Sequence, residues 1–130
     1  MAGLKVIDAD GHIIERADEL RGYLKPPFNK RGGPLAASEP WDRDLQETLP
    51  HDPTQYPRAP RAEDWLRLLD ANDIEQAFLY PTALENVSRI REPDYAVALC
   101  EADNNYVHDR YRRVSNRLNP VARLPFQDPE

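Results

Sequence analysis

Cysteine and long apolar runs are nearly absent from this chain. Its single cysteine, Cys100, excludes an internal disulfide, and such a cysteine is more typical of a small core residue on a helix than of a nucleophile. No stretch of the sequence reaches the roughly 20 apolar residues of a membrane-spanning helix. The N-terminus lacks the basic and apolar regions of a signal peptide. We therefore expect a cytoplasmic protein.

An excess of positive charge is also missing. The chain has 17 Lys and Arg residues against 23 Asp and Glu residues, which gives a formal net charge of -6. A general nucleic-acid surface depends on clustered Lys and Arg that neutralise phosphates, so this balance argues against one. Charged residues at 31% and hydrophobic residues at 40% are ordinary proportions for a globular protein.

The most informative segment of the sequence is KVIDADGHIIE. A β-branched run followed by acidic residues and a histidine predicts a strand over residues 4–8 that carries metal-binding side chains to its carboxyl end. Residues two apart on a strand point the same way, so Asp8, Asp10 and His12 are predicted to share one face. Gly11 lets the chain bend or another group approach closely. A carboxylate beside a neutral imidazole suits zinc, manganese or iron(II).

The alternative for this segment is a strand that ends in a solvated Asp-Gly turn. A complete metal site needs three or four ligands, and the segment supplies fewer. The spacing alone leaves both interpretations open.

Apolar periodicity predicts strands and helices in alternation along the chain. The predicted strands cover residues 4–8, 76–80 and 121–124, and the predicted helices cover residues 17–23, 61–72 and 94–112. Asn72 is the expected left-handed residue at the end of the second helix. The third helix carries one buried stripe, formed by Tyr95, Leu99, Ala102 and Tyr106. This order favours an α/β fold with a parallel sheet and right-handed crossovers.

KVIDADGHIIE resembles the first-strand signature of the amidohydrolase superfamily, in which a His-x-His pair or an acid-x-His variant ends strand one of a (β/α)8 barrel. The resemblance is greatest to the amidohydrolase-related branch that includes aminocarboxymuconate-semialdehyde decarboxylase and the resorcylate-type decarboxylases. Two later segments, LLDANDIEQAFLYPT and RLNPVARLPFQDPE, resemble the approaches to the second and third strands of that family. On this resemblance, Asp10 is the first metal ligand and His12 is the second.

The resemblance implies the N-terminal part of a TIM barrel, with about three parallel strands and their helices. A (β/α)8 barrel takes about 250 residues, and this chain has 130. The remaining ligands of the family come from later strands. We therefore expect a second polypeptide, or a missing C-terminal part, to complete the barrel. The expected cofactor is one divalent metal ion, zinc first, with manganese or iron as alternatives.

Three further residues are candidates near the predicted metal pair. Asp8 and Glu15 are predicted to support the ligands by hydrogen bonding from behind them, although a surface carboxylate is an equal alternative for Glu15. Thr82 follows a strand end on the presumed catalytic face and is predicted to contact substrate.

Residues 26–60 form a proline-rich insertion with eight of the thirteen prolines. Such a composition cannot keep regular structure for long. Long loops in compact domains are typically lids or binding loops, and a loop after a barrel strand lies over the catalytic face. His51 is predicted to act there as acid or base, and Arg58 to bind a substrate carboxylate. The alternatives are a disordered insertion and ordinary solvated side chains.

Together these features predict a metal-dependent hydrolase that acts on a small organic acid, amide or ester through a metal-activated water. One alternative is a metal-dependent non-oxidative decarboxylase. Another is a non-catalytic subunit that completes a split barrel.

Overall fold

A three-stranded parallel sheet, in the order β1-β2-β3, forms the centre of the structure. The computed structural model describes residues 5–32, 35 and 59–128. The strands are β1 (Val6–Ile13), β2 (Ile74–Pro81) and β3 (Leu118–Pro120), and the α-helices are α1 (Ala17–Arg21), α2 (Ala62–Ala71) and α3 (Pro93–Val107). Short 3-10 helices cover Phe28–Lys30 and Glu85–Arg89, and a π turn at His108–Arg112 extends α3. No helix within these described ranges is long and apolar enough to cross a membrane.

The first strand is longer than the predicted residues 4–8, so the DADGH motif lies within β1 and not behind it. Its pairing with β2 contains an irregularity: Asp8 pairs with Ala77 and Gly11 pairs with Leu79. Three steps along β1 therefore match two steps along β2, as in a β-bulge. The bulge interrupts the regular alternation from which one common face for Asp8, Asp10 and His12 was predicted.

Gly11 lies where β1 meets the helix layer. A Cβ atom at this position would come within 2.9 Å of the Leu79 side chain, the Phe78 carbonyl oxygen and the Trp65 ring. A backbone carbonyl cannot move aside cheaply, so only glycine fits here. The close approach predicted for Gly11 is present.

Helix α2 confirms the predicted second helix, with Trp65 and Leu69 buried on one side. Its end differs from the prediction. The Asn72 side chain donates to the Leu68 carbonyl at 2.9 Å, and Asn72 keeps a negative φ of -117°. The left-handed residue is the next one, Asp73, with φ of 54°.

Helix α3 buries the predicted stripe, which consists of Tyr95, Leu99, Ala102 and Tyr106. Cys100 is buried on the same helix, and this burial raises the pKa of its thiol. A raised pKa keeps a thiol protonated and unreactive. The core interpretation of Cys100 therefore agrees with the structure.

The third strand lies earlier in the chain than the predicted residues 121–124. The Val121 N–H still donates to the Leu79 carbonyl at 2.9 Å, and the ladder then stops. At Arg123 the backbone pairs instead with the Asn104 side chain, which accepts from the Arg123 N–H at 2.8 Å and donates to its carbonyl at 2.9 Å. These two hydrogen bonds replace the pairing with β2, so the chain leaves the sheet here, and Leu124 is 67% exposed.

The two faces of the sheet are unequally covered. On β2, Ala77 and Leu79 are fully buried, whereas Phe78 and Tyr80 between them are 43% and 40% exposed. Alternate residues of a strand point to opposite faces, so the helices cover one face and the other is open. His12, paired with Tyr80 in the ladder, lies at the carboxyl end of β1 on the open side.

Candidate metal centre

The side chains of Asp10 and His12 converge at the carboxyl end of β1. Asp10 Oδ1 lies 3.5 Å from His12 Nε2, and the two side chains are 91% and 53% exposed. The bulge in β1 sets the position of the Asp10 backbone, because the Asp10 N–H donates to Asp8 Oδ1 at 3.0 Å. An accessible carboxylate and an accessible imidazole nitrogen therefore face one another.

Thr82 holds the other side of the imidazole ring. His12 Nδ1 lies 3.1 Å from Thr82 Oγ1, and that hydroxyl lies 3.4 Å from the Tyr80 carbonyl oxygen, to which it donates. When the Thr82 hydroxyl donates to the Tyr80 carbonyl, its lone pair is available to accept from Nδ1–H. This tautomer would leave the lone pair of Nε2 available to a metal ion beside Asp10.

This arrangement fits two ligands of one metal ion. Zinc binds imidazole nitrogen and carboxylate oxygen at about 2.0–2.2 Å, and two tetrahedral ligands at that range lie about 3.4 Å apart. A metal-binding histidine typically donates its second ring N–H to a fixed acceptor, and the Thr82 hydroxyl, 3.1 Å from His12 Nδ1, is placed to be that acceptor. Within residues 5–32, 35 and 59–128, no group of three or more His, Cys, Asp or Glu side chains gathers around one point. The described part of the chain thus offers two candidate ligands, Asp10 and His12.

Glu15 reaches His12 only through Thr82. Its side chain is buried, and Oε2 accepts the backbone N–H groups of Thr82 and Ala83, both at 2.9 Å. The support predicted for His12 is therefore indirect in the structure. The Thr82 hydroxyl is occupied by His12 and Tyr80, and its predicted contact with substrate stays a prediction.

Behind Glu15 lies a buried charge cluster that the sequence analysis missed. Arg123 Nε donates to Asp103 Oδ2 at 2.9 Å, and Arg123 Nη2 lies 3.8 Å from Glu15 Oε1. The guanidinium also donates to the carbonyls of Leu84 and Pro81, at 2.8 Å and 2.7 Å. We call Glu15, Asp103 and Arg123 the acid–arginine cluster. It joins α3 to the segments that follow β1, β2 and β3.

Burial dominates the electrostatics of this cluster. Desolvation, followed by the charge of Asp103, raises the pKa of Glu15 to about 7, against the opposing effect of its backbone hydrogen bonds. Desolvation also raises the pKa of Asp103, although Arg123 acts in the opposite direction. The available sequence signal was Asp103 itself, which falls four residues after Leu99 on the buried side of α3.

Comparison with known proteins supports the architecture. A solved amidohydrolase from Mycobacterium avium subsp. paratuberculosis K-10 is similar, with a TM-score of 0.65, over 94% of this chain and 43% of that chain. The chain has the fold of part of an amidohydrolase barrel. At 17% identity the likeness shows the fold alone. No protein-family model matches the chain, and no curated protein matches it significantly.

The predicted α/β fold, with about three parallel strands of a (β/α)8 barrel, is confirmed by this likeness. The chain spans less than half the length of the solved amidohydrolase. In barrels of this kind, active sites lie at the carboxyl ends of the strands. Asp10 and His12 occupy that end of β1.

The remaining predicted site residues have separate outcomes. Asp8 is half-buried, and its Oδ1 accepts from the Asp10 backbone N–H, so it supports the backbone of the motif. His51 and Arg58 lie outside the described residues, as does most of the proline-rich insertion at 26–60. Their predicted substrate contacts stay predictions.

Proposed function

We propose that this chain belongs to a metal-dependent hydrolase acting on a small organic acid, amide or ester, with Asp10 and His12 as two of its metal ligands. The observation that carries the proposal is the 3.5 Å separation of Asp10 Oδ1 and His12 Nε2 at the carboxyl end of β1. The fold of part of an amidohydrolase barrel supports it. The amidohydrolase-related branch and the choice of zinc belong to the same proposal.

A divalent ion held at this pair supplies a Lewis acid for the substrate carbonyl and a bound water that ionises near neutral pH. The residues of this chain prepare the place for it. Asp10 brings a negative charge, His12 presents its Nε2 lone pair, and Thr82 keeps the proton on Nδ1. Because His12 lies beside the ring of Tyr80, with 5.9 Å between their centroids, the aromatic ring forms one wall of the site.

The proposal includes further strands that cover the open face of the sheet. Four large apolar side chains are exposed on β1 and β2, namely Val6, Ile7, Phe78 and Tyr80. Parallel sheets are normally covered on both faces, and the similar amidohydrolase is more than twice as long as this chain. We propose that these strands come from a second polypeptide or from a further part of the same protein, and that they carry the remaining ligands.

Metal analysis and activity of the purified protein, with any chain that co-purifies, test the proposal. We expect about one zinc, manganese or iron per barrel and hydrolysis of a panel of amides, esters and lactones. Asp10→Asn and His12→Ala are expected to lose metal and activity together. His108→Ala is the matched control, since this exposed histidine contacts only its neighbour Asp109 among the described residues.

Full activity in both Asp10→Asn and His12→Ala would overturn the enzymatic role of the pair and favour a non-catalytic subunit. Release of carbon dioxide from aromatic or unsaturated acids, without hydrolysis of the panel, would replace hydrolysis by the decarboxylase alternative.

A further inference from the structure

We propose that Glu15 is a positioning residue for His12: it fixes the backbone of Thr82, and the Thr82 hydroxyl then fixes the imidazole with Nε2 directed towards Asp10. This inference rests on the proposed function and adds a named chain of contacts behind the metal ligands.

The first step is the attachment of Thr82 to β1. The Thr82 N–H lies 3.1 Å from the Ile13 carbonyl and 2.9 Å from Glu15 Oε2. The next N–H, of Ala83, also donates to Glu15 Oε2. The chain that leaves β2 is therefore held against the end of β1 by the Ile13 carbonyl and by one oxygen of the Glu15 carboxylate, which accepts from two successive N–H groups.

The second step is the contact between Thr82 and His12. Thr82 Oγ1 lies 3.1 Å from Nδ1, and it also needs the Tyr80 carbonyl to take its own proton. Both contacts depend on where the Thr82 backbone lies. A shift of the backbone by about 1 Å would break a hydrogen bond of this length.

The third step explains why the carboxylate stays in place. Glu15 is 4% exposed and Asp103 is fully buried. Burying a carboxylate is costly unless it is paired and hydrogen-bonded, and Arg123 pairs with both. Because Arg123 also binds the carbonyls of Pro81 and Leu84, its guanidinium ties the chain after β2 to the same point.

The acid–arginine cluster has two carboxyl groups but only one guanidinium, and two of its carboxyl oxygens indicate how the excess negative charge is removed. Glu15 Oε1 and Asp103 Oδ1 are buried and receive no hydrogen bond from the described residues. A proton shared between the two carboxyls gives each oxygen a partner and leaves one negative charge beside one guanidinium. Each of the two carboxyls also shifts the pKa of the other.

The test reads the tautomer of His12 directly. The purified protein is labelled with ¹⁵N-histidine and stripped of metal with a chelator, and its ring nitrogens are assigned by NMR at a pH where the imidazole is neutral. We expect the native protein to hold the Nδ1–H form. Glu15→Met fills the same space without accepting hydrogen bonds, and we expect the Nε2–H form to become the major one in it.

Glu15→Gln is the matched conservative variant. Its amide oxygen accepts from Thr82 and Ala83, and its amide nitrogen donates to Asp103, so it imitates a protonated Glu15. We expect it to restore the native tautomer. We also expect Glu15→Met to bind zinc about 10–100-fold more weakly than Glu15→Gln, as when the support of a ligand histidine is lost.

A folded Glu15→Met protein with the native His12 tautomer would overturn the proposal. Should Glu15→Met fail to fold, Glu15→Asp withdraws the carboxylate by one methylene, and an unchanged His12 in that variant would overturn it equally. A native protein that binds no metal, yet changes its His12 tautomer in Glu15→Met, would support the positioning role and overturn the proposed function.

Discussion

The two nitrogens of His12 have different partners, and this difference is the most consequential detail at the scale of single residues. Nδ1 faces a hydroxyl and Nε2 faces a carboxylate. A metal ligand must be deprotonated at the binding nitrogen, so on the proposed function the hydroxyl would act by holding the proton on Nδ1. Thr82 is then expected to affect metal binding without touching the ion.

Thr82→Val replaces the hydroxyl with a methyl group of similar size and leaves the backbone contacts intact. We expect zinc affinity to fall about 10–100-fold, because the Nδ1 proton loses its acceptor. Titration against a competing chelator measures this affinity. Thr82→Ser keeps the hydroxyl and is expected to bind zinc within a few-fold of the native protein. Equal affinities for the Val and Ser variants would contradict the role assigned to the hydroxyl.

Gly11→Ala tests the close approach between β1 and the helix layer. The new methyl group would lie 2.9 Å from the Phe78 carbonyl oxygen and from two side chains, so strands or helix must shift. We expect a loss of about 1–3 kcal/mol in the free energy of unfolding, measured by urea denaturation. Gly32→Ala is the control, because nothing lies within 4 Å of its added Cβ. A loss in Gly11→Ala no larger than in Gly32→Ala would show that the layer tolerates a side chain there.

At the scale of elements, the apolar spacing predicted the strand–helix alternation correctly because it reports which side of each element is buried. The ends of β1 and β3 were misplaced for a different reason. A bulge extends β1 through the acidic motif, and the Asn104 side chain takes over pairing at Arg123. Both are contacts with residues distant in sequence, which local periodicity cannot report.

In the candidate site, too, the contacts within one strand were predictable from the sequence and the contacts between distant segments were not. Asp10 and His12 are two residues apart, so their proximity follows from one strand. Glu15, Asp103 and Arg123 lie on three separate segments, and only the packed structure brings them together. A lone arginine in the apolar segment VARLP is typical of an exposed strand position, whereas the side chain of Arg123 is only 13% exposed.

The acid–arginine cluster predicts how stability depends on pH. The pKa of Glu15 is raised from 4.5 to about 7, so its contribution is fully present below pH 4.5 and is lost as pH rises through 7. Between these two pH values Glu15 is ionised in the unfolded chain and still protonated in the folded protein, so the folded state binds more protons. We expect this contribution to fall by about 3 kcal/mol. The pKa of Asp103 is also raised, so its contribution to the free energy of unfolding likewise falls as pH rises.

Urea denaturation of the native protein and of Glu15→Gln between pH 4.5 and pH 8 checks this expectation. The substituted amide is neutral in both the folded and the unfolded state, so the variant is expected to gain stability relative to the native protein as pH rises. Tyr106 and Tyr111, which also face Glu15, have raised pKa values and do not titrate in this range. Glu101→Gln, which removes an exposed carboxylate on α3, is the control. If the free energies of unfolding of the native protein and of Glu15→Gln changed in parallel with pH, the acid–arginine cluster would be excluded as the source of the pH dependence.

At the scale of the whole molecule, the open face of the sheet decides whether this chain works alone. Its exposed apolar residues lie on the same side as the candidate metal centre, which has two candidate ligands among the described residues. The exposed apolar side chains and the incomplete set of candidate ligands lie on the same face of the sheet. Strands that cover this face would therefore complete both the core and the ligand set. The stability of the protein and its metal binding are therefore expected to depend on the same contacts.

Phe78→Thr tests that cover. Threonine keeps the strand propensity of β2 but removes the ring, which is 43% exposed on the open face. If further strands pack there in the purified protein, we expect a loss of about 3–5 kcal/mol in the free energy of unfolding, as for a phenylalanine deleted from a core. Val114→Thr, at a 47% exposed position outside the sheet, is expected to change it by less than about 0.5 kcal/mol. A Phe78→Thr protein as stable as Val114→Thr would show that the open face of the sheet is exposed to water, and it would contradict the proposal that further strands cover this face.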